Sequence, residues 1–457
     1  MQIGACLNQI KPGAGIRHCR QAALDHDHPT TRRKCLLDRF KFLHAADIHL
    51  DSPLRGLSRY EGVPAEAVRL ATREALSNLV EAAIEEAVAF VIIAGDLYDG
   101  DWPDFSTGLF FCAAMGRLEK AGIDVFLLYG NHDAESVLTR KLPLPDNVKK
   151  FGTRKAEILV HAPTATALHG WSYRERDTRE NLAAAYLARV PNHLNIGVLH
   201  TALSGGRPPH AAYAPCTPQE LAAKGYDYWA LGHVHEFELV SLTPLIVFPG
   251  NLQGRNIREC GRKGAVIVTV EDGQVVGSPR PIALDAVRWA RVGIDVTGVD
   301  SETGLHACMR DRLGRAYSDH ADGRPLMIRV TIEGGTTLHG GLSRRRDALR
   351  EDLRGIAVAI SDRLWIEKIV LRTTTPVEPV AADPALRHEM GALLAQAAAD
   401  AGLVVSLRSE RDEFLARTPP DLGADDEFLA ALRLGDVTGL IQDAAASLEV
   451  LLAADRG

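Results

Sequence analysis

The sequence predicts an α/β protein with a layered core, followed by a small α+β unit and a helical tail. Short apolar runs such as FVIIAGD, VFLLYGN and YWALGH alternate with polar segments of helical spacing such as AEAVRLATREALSNLVEAAIEEA. Strands that are apolar on both faces and alternate with helices are typical of sheets covered on both sides. Several of these runs end in His, Asp or Asn, and in such folds chemistry collects at the carboxyl ends of strands.

Length and composition limit the classes of protein that fit. The chain has 457 residues, 46% of them hydrophobic, which favours more than one domain with a sizeable core. Its net charge of −7 means that nucleic-acid binding would need a local basic patch or bound metal ions. The 7 cysteines are scattered, with no CxxC, and this favours a reducing cytoplasm. No apolar run is long enough for a membrane span or a secretory signal, so we expect no membrane association.

The pattern divides the chain into four parts. Residues 1–40 show no period, which is typical of a disordered leader or an over-extended start, although a small metal- or nucleic-acid-binding arm is the alternative. Residues 41–280 are predicted to form the catalytic unit, and the looser pattern around 274–285 predicts a connector. Residues 286–376 alternate half-exposed strands with helices and predict the α+β unit, a capping domain. Residues 384–457 are rich in Ala and Leu and predict a helical tail.

Ligand-type side chains follow the apolar runs in a fixed order. They are Asp47 and His49 in AADIHLD, Asp96 in AGDLYD, Asn131, His132 and Asp133 in GNHD, His200 in VLHT, and His233 and His235 in GHVH. Mixed carboxylate, imidazole and amide groups suit first-row divalent ions such as manganese, iron or zinc. The set contains no thiolate for a structural zinc and is too rich in nitrogen for calcium.

The combination of these residues is stronger evidence for a metal site than any one of them alone. Each has an ordinary structural alternative, since a lone His at a strand end is usually a hydrogen-bonded residue and Gly130-Asn131 is a turn signal. Spacing of two residues, as in Asp47-x-His49, places both side chains on the same side of an extended segment. The ligands exceed the need of one ion and suit two, and two metals ~3.5–4 Å apart catalyse phosphoester hydrolysis.

The series D-x-H, G-D, G-N-H-D, H, G-H-x-H resembles the calcineurin-like metallophosphoesterase superfamily over roughly residues 41–275. The resemblance implies a central β-sandwich flanked by helices. It also implies two metal sites that share Asp96: Asp47, His49, Asp96 and His235 for one ion, and Asp96, Asn131, His200 and His233 for the other. His132 would face the phosphate and protonate the leaving group. Asp133 would orient His132 by a carboxylate–imidazole hydrogen bond.

The flanking stretches FLHAADIHLDSPLRGL and FPGNLQGRNIRECGRKG resemble a bacterial DNA-repair exonuclease group that includes YhaO and SbcD. This resemblance implies Mn²⁺ as the metal, DNA as the substrate, an SMC-like ATPase subunit as partner of the tail, and a homodimer. The tail helices could equally pack on the chain's own core. Archaeal relatives carry a catalytic His three residues after the bridging Asp, where this chain has Asp99. Asp99 could hydrogen-bond a ligand or cap the following loop.

Phosphate binding should need cations near the strand ends. The stretch after PGN supplies candidate substrate contacts: Arg255, Arg258, Arg262 and Lys263. A second group of arginines, at 344–346 and 350, could bind DNA, or could form a solvated helix face paired with Asp347 and Glu351.

The sequence favours a two-metal DNA phosphodiesterase, an exonuclease or endonuclease. One alternative is a phosphodiesterase or phosphatase that acts on nucleotides or other small phosphoesters. Another is a scaffold that binds an ATPase and DNA through a site without activity.

Overall fold

The chain folds around two six-stranded sheets that pack face to face. The computed structural model describes residues 39–52, 65–100, 105–135, 143–203, 213–376 and 399–418, with a few single positions between 392 and 441. Strands are numbered along the chain. The first sheet has the order β12-β11-β1-β2-β3-β4 and contains β1 (Arg39–Ala45), β2 (Phe90–Ala94), β3 (Asp124–Leu128), β4 (Val148–Lys150), β11 (Gly264–Glu271) and β12 (Gln274–Ala283).

The second sheet has the order β5-β6-β7-β8-β10-β9. Its strands are β5 (Glu157–His161), β6 (Thr166–Gly170), β7 (Leu194–His200), β8 (Tyr228–Gly232), β9 (Phe237–Leu242) and β10 (Leu245–Pro249). The strands β1 to β4 are parallel to one another, as are β6, β7, β8 and β10. Parallel strands bring their carboxyl ends to one edge, and this places the ends of β1, β2, β3, β7 and β8 near one another.

An apolar layer lies between the two sheets. Phe42, Phe90 and Phe126 of the first sheet pack with Ile196 and Tyr228 of the second, and all of these are buried. The outer face of the first sheet is covered by α1 (Ala65–Glu85) and α2 (Ser106–Lys120). The short helices α3 (Asn131–Glu135) and α4 (Pro218–Ala223) follow β3 and precede β8, with 3-10 turns at Ala162–Thr164 and Leu182–Ala185. The predicted β-sandwich flanked by helices is confirmed.

Helix α1 shows why the predicted pattern succeeds. Its buried residues Leu76, Leu79, Val80 and Ala83 recur at the three- and four-residue spacing that forms one face of a helix. They pack against the outer face of β1 and β2, which supply Leu43 and other apolar side chains.

The connector predicted around residues 274–285 is wrong, because most of it forms β12. Gly277, Pro279 and Pro281 favoured a linker, but β12 is the edge strand of its sheet. An edge strand tolerates proline because one row of its backbone groups has no partner strand. Gly277 has a φ of 70°, at an irregularity where the register between β11 and β12 shifts.

The second unit is a three-stranded parallel sheet with helices between its strands. Its elements are β13 (Arg288–Asp295), α5 (Glu302–His320), β14 (Leu326–Gly335), α6 (His339–Arg344), α7 (Arg346–Ile360) and β15 (Leu364–Thr374). Leu305, Met309 and Leu353 of the helices pack on Ile328 and Val330 of the sheet. The proposed domain boundaries remain a prediction.

The second unit contacts the first through hydrogen bonds to the loop that follows β10. Gln253 Oε1 accepts the backbone N–H groups of Ala286 and Val287 at 2.7 and 3.2 Å. Trp289 Nε1 donates to the carbonyl of Gly254 at 2.8 Å. The loop that carries the predicted substrate contacts is therefore fixed between the two units.

The tail contributes one described helix, α8 (Ala401–Ala416), none of whose residues is buried. It begins inside a segment predicted to be helical, whereas most of the remaining tail, like residues 1–38, lies outside the described residues. Within the part of the chain that is described, no helix has the length and apolar character needed to cross a membrane.

Candidate metal centre

The ligand-type side chains predicted from the sequence come together at the carboxyl ends of five strands. Four of their backbones have the left-handed φ that non-glycine residues rarely adopt: 50° at Asp47, 47° at His49, 51° at Asp96 and 105° at His233. Such strained residues cluster at functional sites, where the surrounding structure holds them. The chain therefore turns sharply after these strand ends.

One group of ligands forms around Asp47. Its Oδ1 atom lies 3.5 Å from His235 Nε2 and 3.9 Å from His49 Nε2. The Nε2 atoms of His49 and His235 are 3.2 Å apart. One carboxylate oxygen and two imidazole nitrogens thus face a common point.

A second group forms around His200. Its Nε2 atom lies 3.0 Å from Asn131 Oδ1 and 3.4 Å from Asp96 Oδ2. The ring of His233 has its centroid 5.3 Å from that of His200. Asp96 Oδ2 is also 4.0 Å from His49 Nε2, so Asp96 stands between the two groups.

The residues present fit divalent cations. Asp47 is fully buried, and its Oδ1 atom accepts no hydrogen bond from the residues that the structure describes, which is costly for a carboxylate unless a cation is its partner. Asp47 Oδ1, the facing Nε2 atoms and the amide oxygen of Asn131 form the mixed nitrogen and oxygen donor set of first-row metals. The chemistry of the donors therefore favours two metal ions here.

The charges of the site also favour cations. Burial opposes a charge on His200, but Asp96 beside it raises the pKa of this imidazole to about 9. Burial likewise opposes a charge on His235, yet the carboxylates of Asp47 and Glu259 beside it raise its pKa to about 9. The negative charges of Asp47 and Asp96 thus stabilise the protonated form of the neighbouring imidazoles. The same negative charges would attract divalent ions.

Hydrogen bonds around the site fix how each ligand points. His200 Nδ1 donates to the carbonyl of Ala94 at 3.0 Å, and His235 Nδ1 donates to Glu259 Oε1 at 2.9 Å. The second oxygen of Asp47 accepts the backbone N–H of His233 at 2.9 Å. Such bonds select the tautomer with Nε2 toward the centre and are typical of metal sites.

His132 lies at the open side of the centre, with 29% of its side chain exposed. Its Nδ1 atom donates to Asp99 Oδ1 at 2.8 Å, and Ser52 Oγ donates to the other oxygen of Asp99 at 2.7 Å. Burial would lower the pKa of His132, but the hydrogen bond to Asp99 and the charge of Asp96 leave it raised. The hydrogen bond to His132 was not among the roles predicted for Asp99, whose Oδ1 atom also lies 3.9 Å from Nδ1 of the predicted ligand His49. The loop that Asp99 was predicted to cap falls largely outside the described residues, so that role stays a prediction.

The prediction that Asp133 orients His132 is wrong. The carboxylate of Asp133 accepts backbone N–H groups of Leu97 at 3.1 Å, Tyr98 at 2.8 Å and Gly130 at 3.0 Å. Asp133 lies in the first turn of α3, and its side chain turns inward toward the end of β2. It holds the two strand ends together, whereas Asp99 holds the imidazole.

Gly130 is required by close approach. A Cβ atom at this position would lie 2.3 Å from Asp96 Oδ1. The backbone of β3 can therefore pass the central carboxylate only where a side chain is absent.

The predicted substrate cations have separate surroundings. Lys263 is buried and its Nζ donates to the carbonyl of His235 at 2.6 Å, so its prediction as a phosphate contact is wrong. Arg258 and Arg262 are exposed, and Arg262 lies 3.9 Å from Asp322. Arg255 has 17% of its side chain exposed and lies against Asp99 and Glu259.

Glu259 was missed by the sequence analysis. It binds His235 and also accepts Asn251 Nδ2 at 2.9 Å and the backbone N–H of Arg255 at 2.8 Å. A single acid among the basic residues of GRNIRECGRKG, directly after a strand end, was the available signal.

Comparison with known proteins agrees with this geometry. A family model for calcineurin-like phosphoesterases matches residues 40–237, and one for the middle domain of the metallophosphoesterase YhaO matches residues 289–374. An uncharacterized metallophosphoesterase YhaO of Bacillus subtilis (strain 168) is 32% identical over 303 residues, which are 65% of this chain and 73% of that protein. The chain belongs to the calcineurin-like metallophosphoesterases. As a member of that family it is a metal-dependent phosphoester hydrolase.

Two further proteins are similar to this metallophosphoesterase over only part of its length. The DNA double-strand break repair protein Mre11 of Methanopyrus kandleri is 27% identical over 219 residues, or 43% of this chain and 44% of that protein. A solved structure of a dimetal phosphatase from Danio rerio is 12% identical, with a TM-score of 0.31, and covers 53% of this chain and 96% of its own. A TM-score this low adds nothing to the assignment.

Proposed function

We propose that this protein is a Mn²⁺-dependent DNA phosphodiesterase of DNA repair. The observation that carries the proposal is the convergence of two ligand groups on Asp96, with the half-buried His132 at their open side. The arrangement has two groups of ligands that suit two cations and, next to them, the imidazole of His132, which belongs to neither group.

The two groups of side chains would hold the ions as the family resemblance implies. Asp47, His49, Asp96 and His235 would bind one, and Asp96, Asn131, His200 and His233 the other. When bound, the ions would supply Lewis acidity to the phosphate and a water of lowered pKa as the nucleophile.

His132 would deliver the proton to the leaving oxygen. Its Nδ1 proton is held by Asp99, which leaves Nε2 for the substrate. The hydrogen bond to Asp99 and the charge of Asp96 raise the pKa of His132, which stabilises its protonated form. A general acid of this kind contributes ~10²–10⁴-fold to a rate.

DNA as the substrate is supported by two observations. The relative in Methanopyrus kandleri is a DNA double-strand break repair protein, similar over part of its length. Arg258 and Arg262 are exposed on the loop that also carries Glu259 beside the site. Cations at such a place suit contacts to the phosphate backbone, which do not depend on base sequence.

The test is hydrolysis by the full chain of end-labelled linear duplex DNA with Mn²⁺, Mg²⁺ or Zn²⁺. Bis(4-nitrophenyl) phosphate and mononucleotides serve as small substrates under the same conditions. We expect Mn²⁺-dependent cleavage of DNA. Cleavage of small substrates alone, even with an SMC-like ATPase present, would favour a phosphatase or small-molecule phosphodiesterase.

Asp96→Asn tests the metal sites directly. Because Asp96 stands between both ligand groups, the variant should lose Mn²⁺ measured by elemental analysis and lose hydrolysis of every substrate. Asp311→Asn is the control, since Asp311 is exposed and pairs with Arg315 on the surface of α5. Wild-type protein that takes up no transition metal would favour a scaffold without activity.

We also propose that the tail binds an SMC-like ATPase. Helix α8 has no buried residue, and its Leu403, Val405 and Phe414 are exposed. Exposed apolar side chains on a helix suit a helical partner. Co-purification of the ATPase with the full chain, compared with Val405→Asp, tests the contact, and light scattering of the full chain tests the predicted homodimer.

A further inference from the structure

Arg255 lies between two carboxylates at the edge of the metal centre. Its Nη2 atom is 3.0 Å from Glu259 Oε1, and its Nη1 atom is 3.5 Å from Asp99 Oδ2. Nη1 is also 3.4 Å from Ser52 Oγ, and Nη2 is 3.4 Å from His235 Nδ1. With little of the side chain exposed, most of the donors of the guanidinium group face the protein.

Each of these carboxylates holds an imidazole with a different task. Asp99 Oδ1 binds Nδ1 of His132, and Glu259 Oε1 binds Nδ1 of His235. His132 is the proposed proton donor, and His235 is a proposed metal ligand. Arg255 therefore links the two carboxylate–imidazole pairs in one continuous series of contacts from His132 to His235.

The chemistry of arginine suits this place. Two carboxylates at a partly buried edge repel each other unless a cation lies between them. A guanidinium group is planar, remains charged, and presents several donors in a fixed fork, whereas lysine is a point charge on a flexible stem. Charges of Glu259 and Asp99 accordingly keep the pKa of Arg255 above its usual value, although burial acts in the opposite direction.

We infer that Arg255 is a positioning residue that sets His132 and His235 in one arrangement by bridging Asp99 and Glu259. The inference rests on the proposed function and replaces the sequence-based prediction that Arg255 contacts substrate. A positioning residue acts on turnover and on metal affinity. A substrate contact acts first on the Michaelis constant.

A purely structural ion pair is the remaining alternative. Arg255 lies in the loop fixed between the two units, so its loss could reduce stability without affecting the site. Thermal unfolding of the metal-free protein measures that effect separately from metal binding and turnover.

The experiment compares wild type, Arg255→Lys and Arg255→Met. Arg315→Met, which removes an exposed arginine paired with Asp311, is the matched control. Mn²⁺ affinity is measured by calorimetry on the metal-free full chain. Values of kcat and KM are measured with bis(4-nitrophenyl) phosphate and with DNA.

We expect Arg255→Met to lower kcat and Mn²⁺ affinity by ~10–100-fold each, the range typical of residues that orient metal ligands. KM should change much less. Arg255→Lys keeps the charge but can reach only one carboxylate, so it should restore only part of both losses. Arg315→Met should match wild type.

Three results would overturn the inference: a raised KM at unchanged kcat, full recovery by Lys, or unchanged Mn²⁺ affinity in Arg255→Met. If Arg255→Met does not fold, Arg255→Lys decides by the same two measurements. A wild-type protein that binds Mn²⁺ but hydrolyses neither substrate would refute the proposed function, while the affinities of the variants would still test the bridge.

Discussion

Asp99 holds the ring of His132, although Asp133 is the acid next to it in the chain. The Asp99 Oδ1 atom lies 2.8 Å from His132 Nδ1, while the Asp133 carboxylate accepts the backbone N–H groups of Leu97, Tyr98 and Gly130. The two acids thus have separate tasks, one for turnover and one for the fold, and single substitutions should separate them.

Asp99→Ala should reduce kcat by ~10–100-fold with little change in stability. The substitution removes the carboxylate that orients the His132 ring and favours its protonated form. Asp99 is partly exposed, so solvent can hydrate the groups that it leaves. Steady-state kinetics and urea unfolding check both parts, and unchanged turnover would show that Asp99 does not orient the general acid.

Asp133→Ala should lower the free energy of unfolding by ~1–3 kcal/mol or more, because it leaves buried N–H groups without an acceptor. Urea unfolding measures this value, with Asp99→Ala as the matched control. Equal stability of the two variants would contradict the assignment of Asp133 to the fold.

His132→Ala should retain Mn²⁺ but lose turnover, and the loss should depend on the leaving group. On DNA, where the leaving alkoxide needs a proton, we expect a fall of ~10²–10⁴-fold. On bis(4-nitrophenyl) phosphate the leaving phenolate is stable without one, so the fall should be much smaller. Equal losses on both substrates would mean that His132 binds the phosphate rather than protonates the leaving oxygen.

His44 should make the protein less stable in acid. It is buried between the two sheets, with Nδ1 3.0 Å from the Tyr228 hydroxyl and Nε2 3.1 Å from the Leu231 carbonyl. A neutral imidazole satisfies both partners, since one nitrogen accepts from the hydroxyl and the other donates to the carbonyl. Burial lowers the pKa of His44 from 6.5 to about 3.

Between pH values of about 3 and 6.5, the imidazole of His44 is therefore protonated in the unfolded chain and neutral in the folded chain. The free energy of unfolding should fall by ~1.4 kcal/mol per pH unit as the pH drops below about 6.5. His44→Gln cannot titrate, so its unfolding in urea should show a smaller slope with pH, whatever its stability at pH 7. Other titrating groups contribute to both proteins, and identical slopes would contradict the burial of a neutral His44.

Much of the fold and the ligand set could be predicted because both depend on local pattern. Apolar runs such as FVIIA form strands buried on both faces, and helical spacing places Leu76, Leu79 and Val80 of α1 on one side. Asp47, Asp96 and Asn131 follow such runs directly, so the parallel arrangement of β1, β2 and β3 was enough to bring them to one edge. The strand β12 was not predicted, because its prolines suggest a linker. The local sequence does not show that this segment lies at the edge of a sheet, where prolines are tolerated.

Tertiary structure alone decided which side chain meets which. Asp99 reaches His132 because β2 and β3 lie side by side in register, and Glu259 reaches His235 because the loop after β10 returns past the end of β8. The Asp133 carboxylate, in the first turn of α3, binds backbone N–H groups of Leu97 and Tyr98, which follow β2, and of Gly130, which precedes α3. Local sequence patterns predict which types of residue stand at the end of a strand. Which of these side chains contact one another depends on the distances between strand ends in three dimensions, and no local pattern contains those distances.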